Sequence, residues 1–260
     1  MEDAVARDVV RQVIVLVSAV IAVVGSFIGS GAAGGTPIQD AAGGALAADA
    51  TTIAPAGPAF SIWSVIYVGL IAYAIWQLLP RQRSDPRQRV LGYPIAVTLV
   101  LNAAWILSIQ FGFLALSVPI IVVLLAALIW TFFLTLRTRP KGVVEAAVAD
   151  GTVGLYLGWV CVATAANITA YLVAAGFAGG SIPRDVWSVV IVAVAGAVGV
   201  LLALRGRGRL APAASLGWGL AWVAVARLGG EPFSVATGIA AIAAVIIVVV
   251  TTISIRVRVS

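Results

Sequence analysis

The chain has 260 residues, of which 62% are hydrophobic and only 10% charged, with a net charge of +6 and a mean hydropathy of +1.12. A soluble domain is about half apolar and a quarter charged, so this composition excludes an ordinary water-soluble globule and points to a chain solvated by lipid. The basic residues sit in short loops between apolar runs, not in a basic patch with interleaved aromatics, which excludes a nucleic-acid reader and leaves topology signals.

A membrane-crossing helix needs about 20 mostly apolar residues. That criterion predicts spans at 9–31, 59–79, 91–113, 115–136, 151–176, 186–204, 212–228 and 235–255. The fold class is therefore all-α, a polytopic bundle of about eight crossings. The first apolar run is longer than a signal-peptide core, and its leader mixes charges (Glu2, Asp3, Arg7, Asp8, Arg11); it reads as a retained helix. Residues 32–58 form the longest connection, rich in Gly and Ala, with Asp40 and Asp49 and no basic residue. Loops of this length are often lids. The run Pro55-Ala56-Gly57-Pro58 then sets a rigid approach to the second helix. The break between the third and fourth spans rests on Gly112 and Pro119.

Charge fixes the expected orientation. With the N-terminus on the cytoplasmic side, 14 of the 16 basic residues fall in inner segments, and only Arg184 and Arg227 fall outside. The alternation holds at every loop, so the positive-inside rule predicts cytoplasmic N- and C-termini. Leu157-Gly158-Trp159 recurs as Leu216-Gly217-Trp218, too short a repeat to argue duplication.

Eight tryptophans are many for this length. Trp76, Trp130 and Trp187 lie near span ends and suit an interfacial belt. Trp105 and Trp159 lie well inside their spans, where an indole N–H wants a partner. Asn102 and Asn167 also lie deep; each is either glue between helices or a polar anchor in a pocket. Trp63 and Tyr67 are four apart, Asn102 and Trp105 three apart, and Thr164, Asn167 and Tyr171 follow at helical spacing, so each set shares a face. These stripes predict one aromatic cavity beneath the long loop, the usual form of a small-molecule site. Ala163, Ala166 and Ala170 beside them either let helices approach or leave room for a flat ligand.

Absences narrow the chemistry. There is no histidine, no nucleophile beside a base, no carboxylate pair and no phosphate loop, and Gly25-x3-Gly29 reads as helix packing. Cys161 reads as an inert buried residue. Apart from Arg227, and Arg11 at the inner end of the first, no charged residue is predicted within a span, which disfavours ion-coupled transport. No catalytic or metal-binding residue and no resident cofactor is expected.

Three stretches carry a family resemblance. Pro58-Ala59-Phe60-Ser61-Ile62-Trp63-Ser64-Val65-Ile66-Tyr67, Leu101-Asn102-Ala103-Ala104-Trp105, and the run from Tyr156 to Asn167 with Trp159 and Ala163 resemble the second, third and fifth helices of the tryptophan-rich sensory proteins. These are bacterial relatives of the translocator protein, or peripheral-type benzodiazepine receptor. The resemblance implies a five-helix ligand-binding bundle over residues 1–180 with its pocket capped by the first long loop, and a bacterial plasma-membrane location. It also implies a planar hydrophobic ligand such as a porphyrin, held by Trp63, Tyr67, Asn102, Trp105, Trp159 and Asn167; Ala163 and Tyr171 join them from the spacing argument. Residues 181–260 would add three further helices. The chain lacks the family's sterol pattern after the fifth helix, and without histidine a stacked free porphyrin fits better than ligated haem. The expected partners are the lipid bilayer and a hydrophobic small molecule, with a homo-oligomer left open. The main alternative is a transporter of an apolar or amphipathic solute; an enzyme acting on a porphyrin ranks below both.

Overall fold

The structure, a computed structural model, describes residues 2–31, 34 and 36–259. Ala32, Ala33 and Gly35 of the predicted 32–58 loop lie outside the described residues. Eight long helices are present among the described residues: α1 (Glu2–Gly29), α2 (Ile62–Trp76), α3 (Pro86–Gln110), α4 (Leu114–Arg137), α5 (Thr152–Ala174), α6 (Arg184–Arg205), α7 (Leu210–Gly229) and α8 (Val235–Val259). No strand occurs among the described residues. In hydrocarbon every backbone polar group needs an internal partner, and a helix supplies it.

Seven of the helices are long and apolar enough to cross a membrane, and the chain is an integral membrane protein. The exception is α7, whose Gly, Pro and Trp residues and Arg227 lower its hydropathy. It compensates by packing inside the protein against α5, α6 and α8. A helix walled by protein is less constrained by lipid than one facing it.

Local chemistry explains the boundaries. Asp85 caps α3 by accepting from the Arg87 N–H at 2.7 Å, with Pro86 in the first turn. The expected break between α3 and α4 is real. Gly112 adopts a φ of +78°, and the Phe113 N–H donates to the Ser108 carbonyl at 2.7 Å, closing the end of α3.

Helices α1, α2, α5, α4 and α3 close a ring in that order. Small residues set its spacing: a Cβ on Gly25 would sit 3.1 Å from Ala103 Cβ, and one on Gly29 would collide with Ile106. The Gly25-x3-Gly29 pattern is thus a packing face for α3. The last three helices attach through α7. Gly158 on α5 lies directly beneath the Pro212 backbone, and a Cβ on Gly219 of α7 would meet Val162 at 3.0 Å. Helix α8 then packs on α7, and α6 packs mainly on α8 through Gly196 and Gly199.

The two ends of the bundle differ. At one, the basic end, Arg11 donates to the carbonyls of Gln82 and Arg83, Arg209 meets Asp150, and Gly208 abuts the Arg256 backbone. At the other, the loop end, residues 36–56 lie over the helices.

One expectation is corrected here. The fifth span was placed at 151–176 with no carboxylate inside it. Instead a helical turn (Val143–Glu145) and a π-helical turn (Ala146–Gly151) run without a break into α5, so the continuous helix is Val143–Ala174. Glu145 and Asp150 therefore lie within it and are buried. They are tolerated because they are paired. Arg87 bonds Glu145 at 2.8 Å and also bonds Asp150, Arg209 reaches Asp150 at 3.1 Å, and Gln88 donates to Glu145 at 2.8 Å. Buried charges persist only with such partners. Arg87 and Arg11 are likewise buried in helices rather than free in loops.

Candidate functional site

Trp63, the second residue of α2, is the centre of an aromatic cluster. It stacks on Trp105 of α3 with centroids 6.3 Å apart and planes at 28°. The edges of Tyr156 (5.7 Å) and Trp159 (6.3 Å) on α5 meet it at 68° and 82°. Phe60 completes the group by an edge contact with Trp159 at 5.8 Å. These are the offset and edge-on arrangements that ring quadrupoles favour. They bring together three helices far apart in sequence.

Polar groups at the same depth are mostly satisfied within the protein. The Asn102 amide donates to the Tyr67 hydroxyl at 2.5 Å. The Trp105 indole donates to Asn167 Oδ1 at 3.0 Å, and Asn167 Nδ2 donates to Ser117 Oγ at 2.9 Å. Helix-to-helix glue therefore accounts for most of both asparagines. Three buried groups remain without partners: the Trp159 indole N–H, Asn102 Oδ1 and the Thr164 hydroxyl. A buried donor without an acceptor is costly, and Trp159 is only 2% exposed.

The Trp159 ring lines a cavity of about 30 Å³. Its walls are Phe60, Trp105, Ala163 and Ala166, and its roof is Leu46, Thr51 and Pro55 of the long loop. On the far side of Phe60 and Trp105 a lateral groove of about 420 Å³ opens between α1 and α2. It is lined by Ser26, Phe27, Trp63 and Tyr67. The Phe60 and Trp105 rings thus form the partition between the two spaces.

Trp63, Trp105, Trp159 and Ala163 converge on these two spaces, as does Tyr67, while Asn102 and Asn167 stand behind them as supports. Tyr171 lies half-buried one turn past Asn167 and makes no ring contact with the cluster. Sequence reasoning passed over Phe60 and Tyr156 as site residues. The signal was present: Phe60 is three before Trp63 and Tyr156 three before Trp159, spacings that put each pair on one helical face.

The roof is held by α6 and α7. Ser188 of α6 hydrogen-bonds Thr52. Arg227 of α7, fully buried, donates to the carbonyls of Ala48 at 2.5 Å and Pro232 at 2.8 Å. The Ala56 N–H donates to the Trp222 carbonyl at 3.2 Å, and the Trp218 indole donates to the Ala59 carbonyl at 2.9 Å.

Among the described residues no group of His, Cys, Asp and Glu has the arrangement of a metal site. Cys161 is buried.

No curated protein and no solved structure matches the chain. A family model does: that of the TSPO-like proteins matches residues 13–254, running from α1 through the three helices beyond α5, and the chain belongs to that family.

Proposed function

We propose that the protein is a membrane receptor for a planar hydrophobic ligand, a porphyrin or related tetrapyrrole, bound among Trp63, Trp105 and Trp159 beneath the long loop. The observation that carries this reading is the buried, unpartnered Trp159 N–H on the wall of a roofed aromatic cavity. It offers a flat molecule both a stacking face and a donor.

At about 30 Å³ the cavity is the closed form of such a site. Pockets that hold drug-sized ligands measure roughly 300–1,000 Å³. Rotating the Phe60 ring would join the cavity to the 420 Å³ groove, and a ligand would then slide in from the α1–α2 side. By the positive-inside rule the basic end faces the cytoplasm and the loop end the other compartment; tags on the two termini reporting opposite faces would refute this.

The reading is tested by titrating protoporphyrin IX into purified protein in lipid nanodiscs and following tryptophan fluorescence. Saturable quenching is expected, weakened in Trp159→Phe and Trp105→Phe. No change in either detergent or lipid refutes it. Solute flux in proteoliposomes separates the second reading, a transporter. The buried charges of Arg87, Glu145 and Asp150 inside the helices favour testing it. Binding without flux leaves the receptor.

A further inference from the structure

A cavity larger than the aromatic one lies elsewhere in the bundle. A cleft of about 750 Å³ lies between α5 and α6 at the loop end. It exists because α6 leans on α8 and makes few contacts with α5. Its long walls are apolar, including Ile168 and Leu172 of α5 and Ile191 of α6. Its loop-side end is different: the exposed Arg184 and Trp187 from the first turn of α6 form the mouth, and Thr51 and Thr52 from the loop line it beside them, Thr51 buried.

Three observations give that mouth a chemical preference. First, Arg184 is exposed there and forms no ion pair among the described residues. Asp49 also lines the cleft and is exposed, but Arg184 is the one cation among its described lining residues. Second, Arg184 opens a 22-residue helix, whose N-terminal end carries partial positive charge. Third, the Thr51 hydroxyl has no hydrogen-bond partner although Thr51 is only 5% exposed.

We propose that the α5–α6 cleft is a second binding site, for a single-chain amphipathic acid: its carboxylate at Arg184, its hydrocarbon tail along Ile168, Leu172 and Ile191. The volume suits one small amphiphile. Trp187, at the mouth, caps the chain. Thr51 lines both this cleft and the roof of the aromatic cavity, so an occupant here touches the residue that closes the other space. The inference does not depend on what the aromatic cavity binds.

The probe is a dibrominated stearic acid, which quenches indoles it contacts, added to the full chain in nanodiscs of zwitterionic lipid. Saturable quenching is expected, and Trp187→Phe removes a large part of it. A charge-assisted hydrogen bond is worth about 1.5–3 kcal/mol, so Arg184→Gln should weaken the apparent Kd by about ten-fold or more. The uncharged methyl ester of the same acid should show the same loss. Thr169→Phe, which fills the cleft, should abolish saturation while leaving Arg184 in place. Equal quenching by acid and ester, or quenching unchanged in both Arg184→Gln and Thr169→Phe, overturns the proposal and leaves bulk lipid in the cleft. Retained helical circular dichroism and monodisperse elution show that each variant folds. Porphyrin titration of the same variants reports the aromatic cavity separately.

Discussion

Arg209, the residue before α7, reaches Asp150 at 3.1 Å inside the continuous fifth helix. The same guanidinium donates to the Thr135 carbonyl at 3.1 Å. One side chain thereby joins α7 to both α4 and α5. On the other side of Asp150 stands Arg87, which also holds Glu145. Two carboxylates and two guanidiniums neutralise each other where the π-helical turn meets the bundle.

Removing one partner leaves the others buried and uncompensated. Arg87→Ala should therefore destabilise by about 3–5 kcal/mol, read as a lower unfolding midpoint in mild detergent. Arg209→Ala should cost less, because its side chain is 26% exposed and Arg87 still holds Asp150. Equal losses for the two variants would contradict the network as described.

The Trp105–Asn167 bond is buried between α3 and α5. Hydrogen bonds between membrane helices average about 0.6 kcal/mol and reach about 1.7. A double-mutant cycle of Trp105→Phe and Asn167→Ala should return a coupling in that range. Zero coupling would mean that the bond contributes nothing and that Asn167 is held by Ser117 alone.

The roof over the aromatic cavity should loosen when its bonds to α6 and α7 are cut. Ser188→Ala removes one such bond, to Thr52, and Trp218→Phe removes the bond to Ala59 that anchors the end of the segment. Amide exchange over residues 45–56 should speed up by several-fold in each and more in the pair, as expected where few bonds hold a segment. Ligand association should quicken in parallel. Unchanged exchange would show that the loop is held by its own turns.

Asp85 lies just before α3 and bonds Lys141 as well as the Arg87 N–H. Burial pushes its carboxyl up, but the Lys141 ammonium and the backbone N–H groups of Arg87 and Gln88 outweigh it, and the net effect is below the usual carboxylate range. A folded-state pKa below the unfolded one stabilises above the unfolded value, about 3.9, and is lost as pH falls through the folded value. Thermal stability should therefore hold from neutral pH to about pH 4 and decline below it. Asp85→Asn, which keeps a capping side chain, should flatten part of that decline. An unchanged acid limb would remove Asp85 from the account.

Much of the fold was legible because lipid imposes a simple rule: long apolar runs separated by arginines. Gly112 marked a real helix end, and Trp63 and Trp105, placed by helical spacing, stack on each other, whereas Trp159 entered the pocket only through the family resemblance. Residues 143–150 were misread because Glu145 and Asp150 look like loop residues until Arg87 and Arg209 are seen beside them. That pairing is tertiary and leaves no local periodicity. The same holds for Ser188 and Arg227, whose hold on the loop spans more than 130 residues of sequence. The α5–α6 cleft was equally hidden, since it arises from which helix α6 leans on.

The contrast between the two ends has a mechanical consequence. At the basic end, ion pairs from Asp8 with Arg89 through to Arg209 with Asp150 cross-tie α1, α3, α5 and α7. At the loop end, single hydrogen bonds through one segment do that work. A bundle tied by charge at one membrane face and by a few hydrogen bonds at the other should open, when it opens, with its pivot among the arginines and its travel at the loop end. A change in lateral pressure in the leaflet around the loops should therefore reach both cavities more readily than the same change in the opposite leaflet.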